Sequence, residues 1–146
     1  MKAFSSGGKI LLEGTHLMLD CFGCDKNALG ESETISRFLA ALPTALGMKK
    51  LIEPYIVCYP GGDTWDKGGI TGFMLIAESH ISIHTFPDDG FFTADVYSCK
   101  PFDVQKAVAL FKETFRYTRE KIKMVKRDIE VVRDKNLAEM ALARAK

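Results

Sequence analysis

No run of apolar residues in this chain of 146 approaches the ~20 that a membrane-spanning helix requires. The stretch from Met1 to Lys9 lacks the apolar core of a secretory signal. A cytoplasmic protein with no membrane partner is therefore expected. Charge of one sign is also missing: the net charge is +1, so bulk electrostatics do not mark a nucleic-acid binder. Histidine is scarce, and His16, His80 and His84 do not recreate a zinc-ligand spacing, so no metal site is expected. The four cysteines, Cys21, Cys24, Cys58 and Cys99, are expected as free thiols in a reducing compartment. Cys21 and Cys24 form a C-x-x-C with no second copy. We read Cys21 as a packed strand residue and Cys24 as a loop residue, with redox chemistry the lesser alternative. Cys58 lies in an apolar stretch and is expected in the core. No internal repeat or low-complexity linker is present.

What is there suits a folded domain: 47% of the residues are hydrophobic and 27% charged. Leu17, Leu19 and Cys21 alternate with Met18 and Asp20, which predicts a strand over Thr15–Phe22 that Gly23 ends. Ile35, Phe38, Leu39, Leu42 and Leu46 recur at helical spacing over Ser32–Leu46, with Pro43 in the last turn and Gly47 suited to the C-cap. Strands are predicted over Glu53–Tyr59, Ile70–Ala77, His80–Phe86 and Phe91–Ser98. Asp103 is placed to cap a helix over Val104–Phe115. Lys121–Arg127 reads as an edge strand, with a continued helix as the alternative. We expect one domain over residues 1–127 and a helical or frayed extension over 128–146, its Ala-rich part from Asp134 to Lys146. The order β-α-β-β-β-β-α-β predicts an α/β (α+β) fold, a two-layer sandwich with two helices on one face of a mostly antiparallel sheet. The other face would be bare in a monomer, which argues for a homodimer.

Residues 77–99 concentrate the reactive groups: Glu78, Ser79, His80, His84 and Cys99 fall on one hairpin around the turn Pro87-Asp88-Asp89-Gly90. A four-residue turn pairs Phe86 with Phe91. Continued without bulges, that register sets Ser79 opposite Ser98 and Glu78 opposite Cys99, at a cross-strand Cβ spacing of ~5 Å. Hydroxyl and thiol then meet at the Glu78–Ser79 bond. His84 is different, because five residues of strand separate it from Ser79 by ~16 Å and it has the opposite parity. Either the strand bends, or a partner chain supplies His84 in trans. Read singly, each residue also has an ordinary structural role: His80, Ser82 and His84 as one polar face, Cys99 as a small buried hydrophobe.

The run Ala77-Glu78-Ser79-His80-Ile81-Ser82-Ile83-His84-Thr85-Phe86-Pro87 closely resembles the self-processing motif of the prokaryotic S-adenosylmethionine decarboxylases. The resemblance extends to Asp95–Cys99 and His16–Asp25, and the element order agrees over about residues 12–127. It implies a self-cleaving, pyruvoyl-dependent decarboxylase that serves spermidine synthesis, acting on a small-molecule substrate. Cleavage would fall between Glu78 and Ser79, and Ser79 would become the covalent pyruvoyl cofactor, which binds substrate as a Schiff base. His84 would be the processing base, Thr71 would support the acyl shift, and Cys99 would reprotonate the product. Trp65 matches an aromatic that stacks on adenine. Asp88 matches a substrate-binding glutamate with a longer side chain. Two alternatives stand: a homologous decarboxylase of ornithine or arginine, and a non-processing homologue that binds a ligand or a partner.

Overall fold

A computed structural model of the chain describes residues 8–132 and 143–144. Its elements are β1 (Lys9–Phe22), α1 (Lys26–Gly30), α2 (Ser32–Ala45), β2 (Tyr55–Tyr59), β3 (Gly69–Ile76), β4 (Ser79–Phe86), β5 (Phe91–Ser98), α3 (Val104–Phe115) and β6 (Arg119–Val132). The strands alternate as a half-covered sheet requires. In β3, Ile70, Gly72, Met74 and Ile76 are buried while Thr71, Phe73 and Leu75 are exposed. In β5 the buried set is Phe92, Ala94, Val96 and Ser98. All six strands join one antiparallel sheet in the order β2-β3-β4-β5-β1-β6.

Helices α2 and α3 cover the inner face. Their apolar stripes present Ile35, Phe38, Leu39 and Leu42, and Ala107, Phe111 and Phe115. Phe38 lies edge-on to Phe111 and Phe115 at centroid distances of 4.7 and 5.1 Å, and Phe92 of the sheet lies 4.9 Å from Phe115. Such edge-to-face contacts add to the area term in holding the layers together. Gly72 lets α2 approach β3: a Cβ there would meet the Leu39 side chain at 2.6 Å. The outer face has no covering layer among the described residues. It exposes Tyr55, Val57, Phe73, Leu75 and Val125 around a polar centre, where His16 Nε2 lies 2.8 Å from Asp95 Oδ1.

The two-layer architecture and the β5 and α3 boundaries agree with the sequence reading. Four details differ. A third helix, α1, precedes α2; its five residues are too short to show periodicity. Its start is held by Asp25, whose carboxylate accepts the N–H groups of Asn27 and Ala28. Strand β1 begins at Lys9 rather than Thr15, because β6 pairs with its whole length, from Lys9↔Val132 to Phe22↔Arg119. Strand β6 accordingly runs past residue 127, and residues 128–132 continue it. Cys58 is exposed, not core, because β2 is an edge strand of the sheet. The terminal helix expected over Asp134–Lys146 lies, apart from Ala143 and Arg144, outside the described residues.

Cys21 and Cys24 are both buried, and the Cys24 thiol donates to the Cys21 carbonyl at 3.4 Å. Burial disfavours the thiolate, pushing Cys21 up to about 12 and Cys24 up to about 11 from an ordinary 9.0. Both stay protonated at neutral pH, which argues against a redox pair. In the native protein, a thiol reagent at pH 7 should therefore label the exposed Cys58 and leave Cys21 and Cys24 untouched until denaturant is added. Above pH 9 the unfolded chain loses these two protons before the folded one does, so stability should fall as pH rises towards 11 and 12. Peptide mapping of labelled protein and alkaline denaturation curves check the two outcomes.

Candidate active site

Two groups of residues build the site, one at each end of β4. The first surrounds the Glu78–Ser79 bond. Ala77 and Glu78 form the tight connection between β3 and β4, and Ser79 opens β4 opposite Ile76 and Ser98. Ser79 has φ 153°, outside the regions open to residues with a Cβ. A conformation of this kind costs on the order of 1–3 kcal/mol and persists only where neighbours enforce it.

The neighbours that enforce it are visible. The Glu78 carbonyl accepts the Cys99 N–H at 2.8 Å. The Glu78 carboxylate is buried, accepts the Lys49 N–H at 3.1 Å and has Lys100 Nζ at 3.8 Å. One residue upstream, the Ala77 N–H donates to the Lys49 carbonyl at 2.8 Å. The peptide bond before Ser79 is thus pinned from both sides, with its carbonyl polarised by a backbone donor. An N–H aimed at a carbonyl stabilises negative charge that develops there. Cys99 is half-buried beside it. The expected pairing of Glu78 with Cys99 is what the backbone shows.

The second group lies at the other end of β4. Thr71 and His84 are cross-strand partners on the outer face, with Thr71 Oγ1 3.2 Å from His84 Nδ1. They border a cleft of about 260 Å³ shared with Tyr59, Asp66, Gly68 and Thr93. Beside it, the loop between β2 and β3 carries Trp65, 91% exposed at its tip. Asp63 shapes that loop by accepting the N–H groups of Trp65 and Asp66, both at 2.8 Å. Those two donors hold its carboxyl below the usual range. An ion pair of 2.9 Å between Lys67 and Asp89 ties the loop to the turn bearing Asp88. Asp88 itself is exposed, and its carbonyl accepts Lys26 Nζ at 3.0 Å.

Strand β4 pairs without a slip on both sides, from Thr71↔His84 to Ile76↔Ser79 and from Ser79↔Ser98 to Phe86↔Phe91. A bend that folds His84 back onto its own Ser79 is thereby ruled out. The structure brings Glu78, Ser79 and Cys99 together, and separately Thr71 and His84 with the Trp65 loop and the Asp88 turn. The sequence reading missed Lys49 and Lys100 as holders of Glu78. Nothing near Lys49 announces the contact, since 29 residues of chain separate it from Glu78; a glutamate among the apolar residues of a strand end was the only available signal.

Over residues 15–128 the chain matches the family model described as S-adenosylmethionine decarboxylase. An S-adenosylmethionine decarboxylase proenzyme of Clostridium botulinum strain Hall is 36% identical over 115 residues, 78% of this chain and 93% of that protein. One from Pyrococcus horikoshii is 30% identical over 118 residues, 80% of each chain. The crystal structure of the adenosylmethionine decarboxylase from Aquifex aeolicus VF5 superposes with a TM-score of 0.69 at 26% identity, covering 84% of this chain and 97% of that one. The chain belongs to the S-adenosylmethionine decarboxylase family.

The clamp on Glu78 gives a test. Glu78→Ala removes the acceptor for Lys49 N–H and should slow any cleavage at this bond by about tenfold or more, as the loss of a buried hydrogen bond to a charged group would. Glu78→Gln keeps an acceptor and should retain most of the rate. Time courses on denaturing gels separate the two.

Proposed function

We propose that the chain decarboxylates S-adenosylmethionine through a pyruvoyl group made from its own Ser79. The observation that carries this is the strained Glu78–Ser79 bond, its carbonyl polarised by the backbone N–H of Cys99. Ser79 Oγ attacks the Glu78 carbonyl carbon, and the peptide nitrogen leaves and takes up a proton, which converts amide to ester. The Cys99 N–H is placed to hold the oxyanion of that step. Elimination then requires a base to take the Ser79 α-proton as the Glu78 carboxylate departs with the upstream fragment. Hydrolysis of the remaining dehydroalanine releases ammonia.

The residues fit the group this creates: Ser79 opens a strand in a conformation its neighbours enforce, and Cys99 offers a proton beside it. A pyruvoyl carbonyl supplies a sink for the electrons that carbon dioxide leaves behind. Cys99 then returns a proton to the substrate carbon.

His84 is the base for elimination, and it comes from a second chain. Within one chain it is ~16 Å from Ser79 along an unbroken strand. Two outer faces packed with their strands inverted bring the His84–Thr71 end of one copy to the level of the Glu78–Ser79 bond and Cys99 of the other. That packing also covers the exposed apolar residues of the outer face. Each of the two sites in such a homodimer takes Ser79 and Cys99 from one chain and Thr71, His84, Trp65 and Asp88 from its partner. The Trp65 ring is free to stack on a flat base, and the Asp88 turn lies beside it.

Denaturing electrophoresis or intact mass should show two fragments that separate before Ser79. A chain that never cleaves would leave only a binding role. Ser79→Ala and His84→Ala chains should each stay whole alone; refolded together, the His84→Ala chain alone should cleave. Absence of cleavage in the mixture would remove the trans arrangement. Cys99→Ser retains the backbone N–H and should still cleave, while its carbon dioxide release falls about 100-fold or more, as the loss of a general acid does.

A further inference from the structure

The sheet is not rectangular. Strands β3, β4 and β5 end at the level of the Ser79–Ser98 pair, where Thr15 makes the last contact of β1 with β5. From Gly14 back to Lys9, β1 pairs only with β6, over Arg127–Val132. This two-stranded arm projects past the cleavage end of the sheet by roughly 20 Å, at ~3.3 Å per residue. The family match covers residues 15–128, so the arm is built almost wholly from residues outside it.

The arm has two unlike faces. Ile10 and Leu12 stand opposite Val131 and Ile129, and continuous alternation puts all four on the side of His16 and Met18, the outer face. The opposite side carries Glu13, Asp128 and the Lys9–Glu130 ion pair, together with exposed Leu11 and Val132. Isolated two-stranded ribbons are marginal in water. Four aliphatic side chains on one side of this ribbon call for a cover, and their side is the one that meets the partner in the trans site.

We propose that the arm is a dimer clasp: its aliphatic side lies on the far end of the partner's sheet, where Phe22, Phe86 and Phe91 stack. The inference rests on the trans reading of the site, and the register gives it a position. Strand β1 runs parallel to β4, with His16 level with His80 through Tyr97. Setting a partner's His84 over Ser79 inverts the levels of the two sheets. The Lys9 end of β1 then reaches the level of the partner's Lys26, beside the turn at 87–90. Phe86 and Phe91 stack there at 4.3 Å and Phe91 and Phe22 at 5.8 Å, all three partly exposed, with the Arg119 guanidinium 4.5 Å over the Phe22 ring. Aliphatic side chains on the partly exposed Phe86 and Phe91 rings bury apolar area on both chains.

The unmodified protein supplies the test. In one chain, Lys9 and Lys26 are separated by more than the length of β1, roughly 43 Å, beyond the reach of a short amine cross-linker. A mixture of nitrogen-14 and nitrogen-15 chains, cross-linked and digested, should yield mixed-isotope Lys9–Lys26 peptides. A second measurement follows dimer dissociation by sedimentation. Leu12→Lys with Ile129→Lys, on the aliphatic side, should raise the dissociation constant on the order of tenfold or more, whereas Leu11→Lys on the opposite side should leave it nearly unchanged. A dimer in which Lys9 links instead to the partner's Lys49 or Lys100, or whose dissociation ignores the double substitution, overturns the clasp and leaves the trans site standing. A monomer that still cleaves overturns both.

Discussion

The unbroken antiparallel register of β3, β4 and β5 is the constraint on which the rest of the site depends. One residue of slip would turn every side chain of β4 to the opposite face. The actual register puts Cys99 N–H on the Glu78 carbonyl and Thr71 beside His84. It also separates these two groups by the length of a strand, since a pleated strand cannot bring its two ends together. Thr71 and His84 are thereby locked at the end of β4 opposite the Glu78–Ser79 bond.

In the proposed dimer the outer face would bring the two groups together. The inner face buries an aromatic and aliphatic core beneath α2 and α3, while the outer face leaves Phe73, Leu75, Tyr55 and Val57 exposed around the His16–Asp95 pair. An exposed apolar set of this kind marks a contact surface. Its covering by a second copy would bring the two ends of β4 together across the interface, so stability and catalysis draw on one contact. The strain at Ser79 fits the same economy. It is held by Lys49, Cys99 and the buried Glu78 carboxylate, and it sits at the bond where release of strain is useful.

Much of the fold was legible because its signals are local. Alternation located β4 and β5, and the spacing of Val104, Val108, Phe111 and Phe115 with Asp103 as cap located α3. The turn at 87–90 set the hairpin register, from which the Glu78–Cys99 pairing followed. Other features left no local mark. Helix α1 is shorter than two turns and depends on the Asp25 cap. The reach of β1 back to Lys9 exists only because β6 pairs with it, and Leu11 breaks the alternation that would have announced it. Cys58 sits in an apolar run that read as core, yet apolarity alone does not tell a central strand from an edge strand.

By itself the sequence determined that Ser79 and Cys99 share a hairpin and that His84 has the opposite parity to Ser79, because strand period and turn length are properties of neighbouring residues. Only the tertiary structure decided what holds the Glu78–Ser79 bond and how far His84 lies from it. Lys49 reaches Glu78 across a long stretch of chain, the Ser79 backbone is forced into its conformation by contacts from β5 and the Lys49 segment, and the straightness of β4 follows from pairing on both of its edges. These are long-range constraints, fixed by packing and hydrogen bonding between distant segments, and no local pattern of residues encodes them.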